Sequence, residues 1–247
     1  MLKNKLYHEY TNLHKEPTGL RKLDFIVEQI ERRAEFQNKK DIKILDIGCS
    51  QGDISLPLAS LSYQVMGIDS NSKYIEELNK KSNFSNAQFR IQNMFVGNKD
   101  FCSLCEKYDF IIVSKTIEYI NEPKGFLKSL KNNLKEKGFL ILTASNGRTL
   151  ENRIKKYKAK KKKEQFTTLH YFSLKNIEKL IDDSGFEVIA CKNQASVFRQ
   201  AYSLFLKYIL SKGSSVFRVL DKLDSSLANI TPQNMVDGWM FVIKKTR

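Results

Sequence analysis

Apolar and polar residues alternate in blocks along this chain. Seven short apolar runs are separated by longer segments in which apolar residues recur every three or four positions. The short runs are rich in Ile, Val, Leu and Phe and have the length of buried strands. The seven expected strands are Ile42–Ile47, Gln64–Ile68, Ala87–Ile91, Tyr108–Ser114, Gly138–Thr143, Phe186–Cys191 and Trp239–Lys245.

The segments between these runs have helical periodicity. The best marked of them starts after Ser173, whose hydroxyl can cap a helix, and ends before Gly185, which tolerates the left-handed conformation. Because strands and helices alternate, the sequence predicts βαβ units and a parallel sheet. The expected helices are Gly19–Phe36, Asp53–Ser62, Ser72–Lys81, Phe101–Glu106, Pro123–Leu134 and Leu174–Ser184.

The first expected strand runs directly into a loop of small residues, in the sequence ILDIGCSQG. Asp46 lies near the end of that strand. Glycines let the backbone come close to a ligand, and the helix that follows would point its positive amino-terminal end at the same ligand. The pattern therefore predicts a nucleotide-like cofactor. The loop residues are Gly48, Cys49, Ser50 and Gly52.

A second acidic residue follows the second expected strand, in the sequence GIDSN. Ligands of open parallel sheets bind at the carboxyl ends of the strands. A carboxylate at Asp69, followed by Ser70, can accept hydrogen bonds from both hydroxyls of a ribose. Asp69 is therefore the first choice for a ligand contact.

The spacing of the glycines separates two cofactor classes. A dinucleotide site needs GxGxxG, whereas here Ser50 stands between Gly48 and Gly52 and no third glycine follows at the required spacing. The negative charge of Asp46 would oppose a pyrophosphate but would favour a cationic amino acid tail. The charge pattern thus favours S-adenosylmethionine over NAD.

At these residues the chain resembles the class I S-adenosylmethionine-dependent methyltransferases that act on small molecules, quinones and glycans. The resemblance covers roughly residues 41–191 and the final strand. ILDIGCSQG is similar to the first family motif, with Ser50 at the usual middle glycine, and GIDSN is similar to the second. YDFIIVSKTIEYINEP resembles the fourth motif, and LKEKG stands where the family has an LKPGG turn.

This resemblance implies the fold and the domain organisation. We expect an α/β, Rossmann-like, doubly wound sheet of seven strands, mostly parallel, with an antiparallel last strand inserted beside the fifth. One methyltransferase domain would span 1–247. Its parts would be a helical amino-terminal segment (1–40), the core (41–191 and 239–247) and a helical cover inserted between strands six and seven (192–238).

The resemblance also implies the cofactor contacts. The backbone from Gly48 to Gly52 would line the methionine portion of S-adenosylmethionine, Asp46 would orient its amine, and Asp69 would hold the ribose. Further contacts are expected from the loops after the third and fourth strands: Asn93 and Met94 at the adenine, and Ser114 and Lys115 beside the sulfonium and the incoming nucleophile.

Two residues are candidates for moving a proton. His170 is a possible base that removes the proton of a substrate hydroxyl, although a lone histidine more often has a packing role. Tyr119 stands where related enzymes often carry a histidine. Glu118, from the same motif, is expected to be an ordinary helix residue.

The formal charge of +15 bears on the acceptor of the methyl group. Its locally extreme part is 148–163, with nine basic residues against a single acid, Glu151. We expect an oxygen or nitrogen nucleophile on an anionic small-molecule or glycan- or lipid-linked acceptor. An RNA acceptor bound by 148–163 is the alternative, and a solvated lysine-rich helix without a ligand explains the same residues.

The long connection before the last strand is expected to be helical and to cover the pocket. Residues 197–210 are apolar nearly all round, which is typical of a buried helix. Peripheral membrane contact through 196–230 is the alternative, and a non-catalytic membrane-surface or partner-binding scaffold is the least favoured hypothesis. A second apolar helix face is expected from Val216, Leu220, Leu223, Leu227 and Ile230.

Other features point to a cytoplasmic protein. The sequence contains no apolar run of 18 residues, and its first residues do not resemble a signal peptide, so no transmembrane segment is expected. Cys102 and Cys105 form one CxxC pair without a second pair. We therefore expect four reduced thiols and no metal site.

Overall fold

The computed structural model describes residues 6–13, 19–34, 37–92, 106–149, 152–154, 157, 170–196, 198–199 and 215–246. These residues contain a seven-stranded sheet. The strands are β1 (Lys43–Ile47), β2 (Gln64–Asp69), β3 (Ala87–Ile91), β4 (Tyr108–Ser114), β5 (Leu134–Ser145), β6 (Phe186–Asn193) and β7 (Gly238–Lys245).

Six α-helices lie in the described part of the chain, together with short 3-10 helices at Leu6–Tyr10, Lys39–Asp41 and Ile117–Tyr119. The Asn71 and Ser173 side chains cap two of the helices by accepting backbone N–H groups. The α-helices are α1 (Gly19–Arg33), α2 (Ser55–Ser60), α3 (Ser72–Lys81), α4 (Pro123–Asn133), α5 (Leu174–Asp183) and α6 (Ser215–Ala228).

The strand order confirms the predicted fold class. The sheet runs β3-β2-β1-β4-β5-β7-β6. The pairs from β3 to β5 are parallel, whereas β7 is antiparallel to both β5 and β6. The chain therefore folds into a Rossmann-like α/β sheet with its last strand reversed beside the fifth.

Alternating side chains of the central strands build a core on each face of the sheet. In β4, Phe110 and Ile112 pack with the apolar residues of α1, while Ile111 and Val113 pack with those of α4 and α5. All four are buried. Because both faces are covered, the strand is apolar at nearly every position, and this made it recognisable in the sequence.

The fifth strand begins four residues earlier than expected. Leu134 is fully buried and pairs with Tyr108, so the chain enters the sheet directly from α4. A Cβ on Gly138 would lie 2.9 Å from Leu134 Cδ1 and 3.0 Å from the Asp109 carbonyl oxygen. The glycine thus permits close packing inside β5, where LKEKG lies at a register shift in the pairing with β4.

The carboxyl ends of β1, β2, β4 and β5 meet at one edge of the sheet. The register pairs Ile47 with both Ile68 and Val113, and it pairs Ser114 with Thr143. The loops that carry the predicted cofactor contacts therefore leave the sheet side by side.

Several polar contacts fix the insertion between β6 and β7 to the rest of the fold. Asn193 Nδ2 donates to the carbonyl oxygens of Ala228 and Thr231, both at 2.8 Å. The buried Asp224 carboxylate accepts the Ser196 hydroxyl at 2.5 Å. Arg21 of α1 donates to carbonyl oxygens of both β6 and α6. One side of α6 is therefore anchored.

The apolar face predicted for α6 is largely exposed to solvent. Val216 and Leu223 are 53% and 52% exposed, and Ile230, just beyond the helix, is 79% exposed. The helix itself was predicted correctly. The fully buried residues of its anchored side are Asp224 and Ala228.

Other expectations fall on residues outside the described ranges. These are the helix at Phe101–Glu106, the Cys102 and Cys105 pair, most of the basic segment 148–163 and most of the apolar segment 197–210. Cys49 and Cys191, within the described ranges, are free thiols. In that part of the chain, no helix is both long and apolar enough to span a bilayer.

We predict that Asn193→Ala lowers the free energy of unfolding by about 1–3 kcal/mol, because two carbonyl oxygens near the end of α6 lose their donor. Urea denaturation measures the change, and amide exchange should rise in α6 before it rises in the sheet. Asn229→Ala is the matched control, since Asn229 is exposed and its side-chain oxygen accepts a hydrogen bond from the Arg21 side chain. Equal effects of the two substitutions would contradict the anchoring role.

Candidate active site

The loop after β1 is held against the end of β2 by its own backbone. The N–H groups of Gly48 and Cys49 both donate to the Ile68 carbonyl oxygen, at 2.8 and 3.0 Å. Three loop residues have positive φ: Gly48 (74°), Ser50 (49°) and Gly52 (80°). Glycine adopts this conformation without strain, whereas Ser50 adopts it at some cost. The loop therefore has a defined left-handed path at the ligand edge.

The same loop packs closely against the turn after β4. A Cβ placed on Gly48 would lie 2.4 Å from Thr116 Oγ1. Thr116 is buried and donates its hydroxyl to the Ile47 carbonyl oxygen at 3.1 Å. A side chain at position 48 would push these loops apart, so glycine is required there for packing as well as for its φ angle.

Asp69 binds the backbone of two neighbouring loops. Its Oδ2 accepts the Ser50 N–H and its Oδ1 accepts the Asn71 N–H, each at 2.9 Å. Carboxylate oxygens can accept more than one hydrogen bond, so both atoms can still take a ribose hydroxyl. Ser70, next in the chain, is exposed at this edge.

Asp46 lies beneath the loop and is 1% exposed. Its Oδ2 accepts the Ser55 hydroxyl at 2.6 Å. Burial raises the pKa of Asp46 to about 6, while the Ser55 hydrogen bond and the charge of Lys22 act in the opposite direction. The site therefore contains a carboxylate whose negative charge is only partly compensated by the protein.

Cys49 contributes its backbone to this edge, and its side chain points into the core. The thiol packs with Ile75, Leu78 and Phe89. Burial raises the pKa of the Cys49 thiol. The predicted contact of Cys49 with a ligand is thus limited to main-chain atoms.

The end of β4 also has an unusual backbone. Lys115 has a φ of 53°, which is uncommon for a residue with a long side chain. Its N–H donates to Thr143 Oγ1 at 3.0 Å, and the Ser114 and Thr143 hydroxyls are 3.3 Å apart. The two residues predicted to lie beside the sulfonium are therefore held by β5.

Glu118 lies in a helix, as expected, but it is also a buried acid. It lies in the 3-10 turn after β4, is 4% exposed, and its Oε1 accepts the Ser145 N–H at 2.7 Å. Its Oε2 is buried without a hydrogen-bond partner. Burial raises the pKa of Glu118, and the Ser145 N–H and the charge of Lys115 oppose this shift.

The structure brings His170 to the same turn. The backbone N–H of His170 donates to the Glu118 carbonyl oxygen at 3.0 Å. The ring nitrogen Nε2 of His170 lies 3.3 Å from the Asn121 carbonyl oxygen. In the tautomer that lets Nε2 donate, Nδ1 is left as an acceptor. Tyr119, in the same turn, is 43% exposed. Both proton-transfer candidates thus lie near the carboxyl end of β4.

Asn93 and Met94 lie outside the described residues, so their contacts with adenine stay a prediction. Within the described ranges, no group of His, Cys, Asp and Glu residues is arranged to hold a metal ion. The sequence analysis missed Ser55, Thr116 and Glu118. An acid inside the apolar stretch of IIVSKTIEYI could have drawn attention to Glu118, whereas the other two have no such signal.

Known proteins with similar sequences are methyltransferases. The chain is 28% identical over 123 residues to the ubiquinone biosynthesis O-methyltransferase of Pelagibacter ubique, covering 49% of each protein. It is 30% identical over 133 residues to the mitochondrial enzyme of the same name from Schizosaccharomyces pombe, covering 54% of this chain and 47% of that protein. The chain thus spans about half the length of these curated relatives.

Solved methyltransferase structures share the fold. One is magnesium protoporphyrin IX methyltransferase from Synechocystis with bound S-adenosylhomocysteine (TM-score 0.58, 16% identity, 93% of this chain and 84% of that chain). Another is a putative sarcosine dimethylglycine methyltransferase from Galdieria sulphuraria (TM-score 0.64, 12% identity, 97% and 96%).

A family model described as a methyltransferase domain matches residues 20–191, more than half of the chain. The match includes both acidic loops and the turn after β4. It agrees with the sheet order and with the sequence motifs, and it confirms the predicted family and cofactor. The chain belongs to the methyltransferase-domain family, and its fold is that of class I S-adenosylmethionine-dependent methyltransferases.

Proposed function

We propose that the methyl acceptor is a small molecule that offers an oxygen nucleophile. The close approach of Gly48 to Thr116 sets the proposed cofactor loop directly against the turn after β4, where the acceptor would lie. The names of the relatives, ubiquinone biosynthesis O-methyltransferases, support a small acceptor and an oxygen atom.

The described residues fit S-adenosylmethionine at three points. The positive φ angles of Gly48, Ser50 and Gly52 give the loop a defined path along the edge, where the methionine portion would lie. Asp69 would hold the ribose hydroxyls through its two carboxylate oxygens. Asp46 would favour the cationic amine by its charge from below the loop, with Ser55 fixing its orientation.

S-adenosylmethionine supplies an electrophilic methyl group on a positively charged sulfur. The protein then has to align the acceptor oxygen with that methyl group and exclude water. Ser114 and Lys115 would flank the oxygen at the end of β4. His170 would accept the acceptor's hydroxyl proton at Nδ1 and release it to solvent, with Tyr119 beside it in the same turn.

Mass spectrometry of the acceptor tests the proposal. The protein would be incubated with S-adenosylmethionine and catechol, hydroxybenzoate, amine and oligosaccharide acceptors in turn. We expect methylation of a hydroxyl compound. Exclusive methylation of an amine or of an oligosaccharide would overturn the small oxygen acceptor while leaving the methyltransferase family intact.

We predict that Asp69→Asn weakens S-adenosylhomocysteine binding about 10- to 100-fold, since a charged acceptor for the ribose hydroxyls becomes neutral. Isothermal calorimetry gives the dissociation constant. Asp109→Asn is the matched control, because Asp109 lies at the opposite end of β4 and pairs with Lys135. Unchanged affinity in Asp69→Asn, or equal losses in both variants, would show that Asp69 does not hold the ribose.

The pKa of Asp46 predicts a specific dependence of stability on pH. Since the pKa is raised on folding from 3.8 to about 6, the native state binds the proton more tightly and is favoured at low pH. That contribution is lost as pH rises through about 6. The native protein should therefore lose about 2 kcal/mol of unfolding free energy when the pH rises from 4 to 7, relative to Asp46→Asn, which lacks the titrating carboxyl group.

Urea denaturation of both proteins at the two pH values measures this difference. The amide at position 46 changes stability by the same amount at both pH values, so this effect cancels when the two values are subtracted. Ser55→Ala is a useful companion, because loss of its hydrogen bond should raise the Asp46 pKa further and enlarge the pH dependence. A difference that does not vary with pH would show that Asp46 is not perturbed by burial.

A further inference from the structure

A short strap of residues before α1 lies against the end of the loop after β1. The strap consists of residues 6–13, and its side chains Tyr7, Thr11 and Leu13 are all buried. Asp53, which directly follows the loop, accepts hydrogen bonds from the strap. A segment remote from the motifs of the sequence is thus buried against the proposed cofactor loop.

Two hydrogen bonds join the strap to Asp53. Thr11 Oγ1 donates to the Asp53 carbonyl oxygen at 2.9 Å, and the Asn12 N–H donates to Asp53 Oδ1 at 2.8 Å. The same Thr11 oxygen accepts the Leu13 N–H at 3.1 Å. One buried hydroxyl therefore fixes both the turn within the strap and the residue that ends the loop.

The strap is also anchored to α1. The Tyr7 hydroxyl donates to Asp24 Oδ1 at 2.8 Å, and His8 Nε2 lies 2.7 Å from the same oxygen. A Cβ placed on Gly19, the first residue of α1, would collide with the Leu13 carbonyl oxygen. The strap is therefore held between α1 on one side and the loop on the other.

The loop has a backbone that depends on support from its neighbours. Ser50 has a φ of 49°, which a residue with a side chain adopts at some cost and keeps only where the surrounding structure enforces it. Asp69 fixes the Ser50 N–H, and three residues further along the chain the strap fixes Asp53. The loop is thus held at one end by the proposed ribose acceptor and at the other by the strap.

We propose that Asp53 is a positioning residue through which docking of the strap and binding of the cofactor stabilise each other. The strap holds the loop in its left-handed path, and a cofactor bound along that path keeps the strap docked. Coupling between two binding events is reciprocal, so each effect requires the other. The inference rests on the proposed cofactor contacts of Gly48–Gly52 and goes further, because it gives residues outside them a role in binding.

The size of the effect follows from the population of the docked strap. Short segments near chain ends open locally at a lower free energy than the core. A ligand that binds only one state binds more weakly in proportion to the population of that state. If a substitution leaves about one fifth of the molecules with a docked strap, the dissociation constant of the cofactor rises about fivefold.

Isothermal calorimetry of the full chain with S-adenosylhomocysteine tests the proposal. Thr11→Val keeps the shape of the side chain but removes its hydroxyl, and it should raise the dissociation constant about 3- to 10-fold. Asp53→Ala should have a similar effect. Thr11→Ser keeps the hydroxyl and should bind with nearly native affinity. Asp41→Ala is the matched control for Asp53→Ala, since Asp41 is an exposed acid that precedes β1 at the opposite edge of the sheet.

Amide exchange of the native chain measures the reciprocal effect. Saturation with S-adenosylhomocysteine should slow exchange in residues 6–10 about tenfold, because the strap then opens only when the ligand leaves. The amides of α5 should keep their rates. A contact that serves stability alone would lower the free energy of unfolding without this protection, so the exchange of the strap separates the two roles.

Three results would overturn the role of the strap: native affinity in both Thr11→Val and Asp53→Ala, an equal loss of affinity in Thr11→Ser and Thr11→Val, or exchange in residues 6–10 that does not respond to the ligand. The last measurement needs no variant to fold. In each case the proposed cofactor contacts survive if the native chain binds S-adenosylhomocysteine and Asp69→Asn weakens that binding. A native chain that does not bind S-adenosylhomocysteine would overturn both.

Discussion

The close approach of Gly48 to Thr116 is the contact on which the site depends. With 2.4 Å between a hypothetical Cβ and the threonine hydroxyl oxygen, only a glycine lets the loop after β1 rest against the turn after β4. The first loop carries the proposed cofactor contacts, and the second carries Lys115 and Glu118 and lies beside His170. In the proposed function, the spacing of these two loops would set the distance between methyl donor and acceptor, which methyl transfer requires to be short.

Two buried carboxyl groups lie at this edge of the sheet. Asp46 and Glu118 are both carboxyl groups with little exposure, and each is fixed by one short hydrogen bond from Ser55 or Ser145. Neither is fully compensated inside the protein, so each costs stability in the absence of a ligand. In the proposed function, the cationic amine of S-adenosylmethionine would offset part of this cost at Asp46.

The strands β1, β2, β4 and β7 were predictable because they are buried on both faces, which leaves nearly uninterrupted apolar runs. Asp69 was predictable for a related reason, since an acid directly after such a run must emerge at the carboxyl edge. The start of β5 was placed four residues too late, at Gly138, because the polar residues between Leu134 and Gly138 carry no strand pattern. Thr116 could not be found, since its importance comes from a contact across 68 residues of chain. The face of α6 shows a further limit: periodicity gives the helix but does not say what covers it.

The proposed function requires the loops after β1, β2 and β4 to form one binding edge. Amide NMR spectra recorded while S-adenosylhomocysteine is added measure this. We expect the amide signals of Gly48, Ser50, Asn71 and Thr116 to shift together with one affinity, while those of α5 stay in place. Shifts confined to α5 or to β6, with the signals of these four residues unchanged, would contradict it.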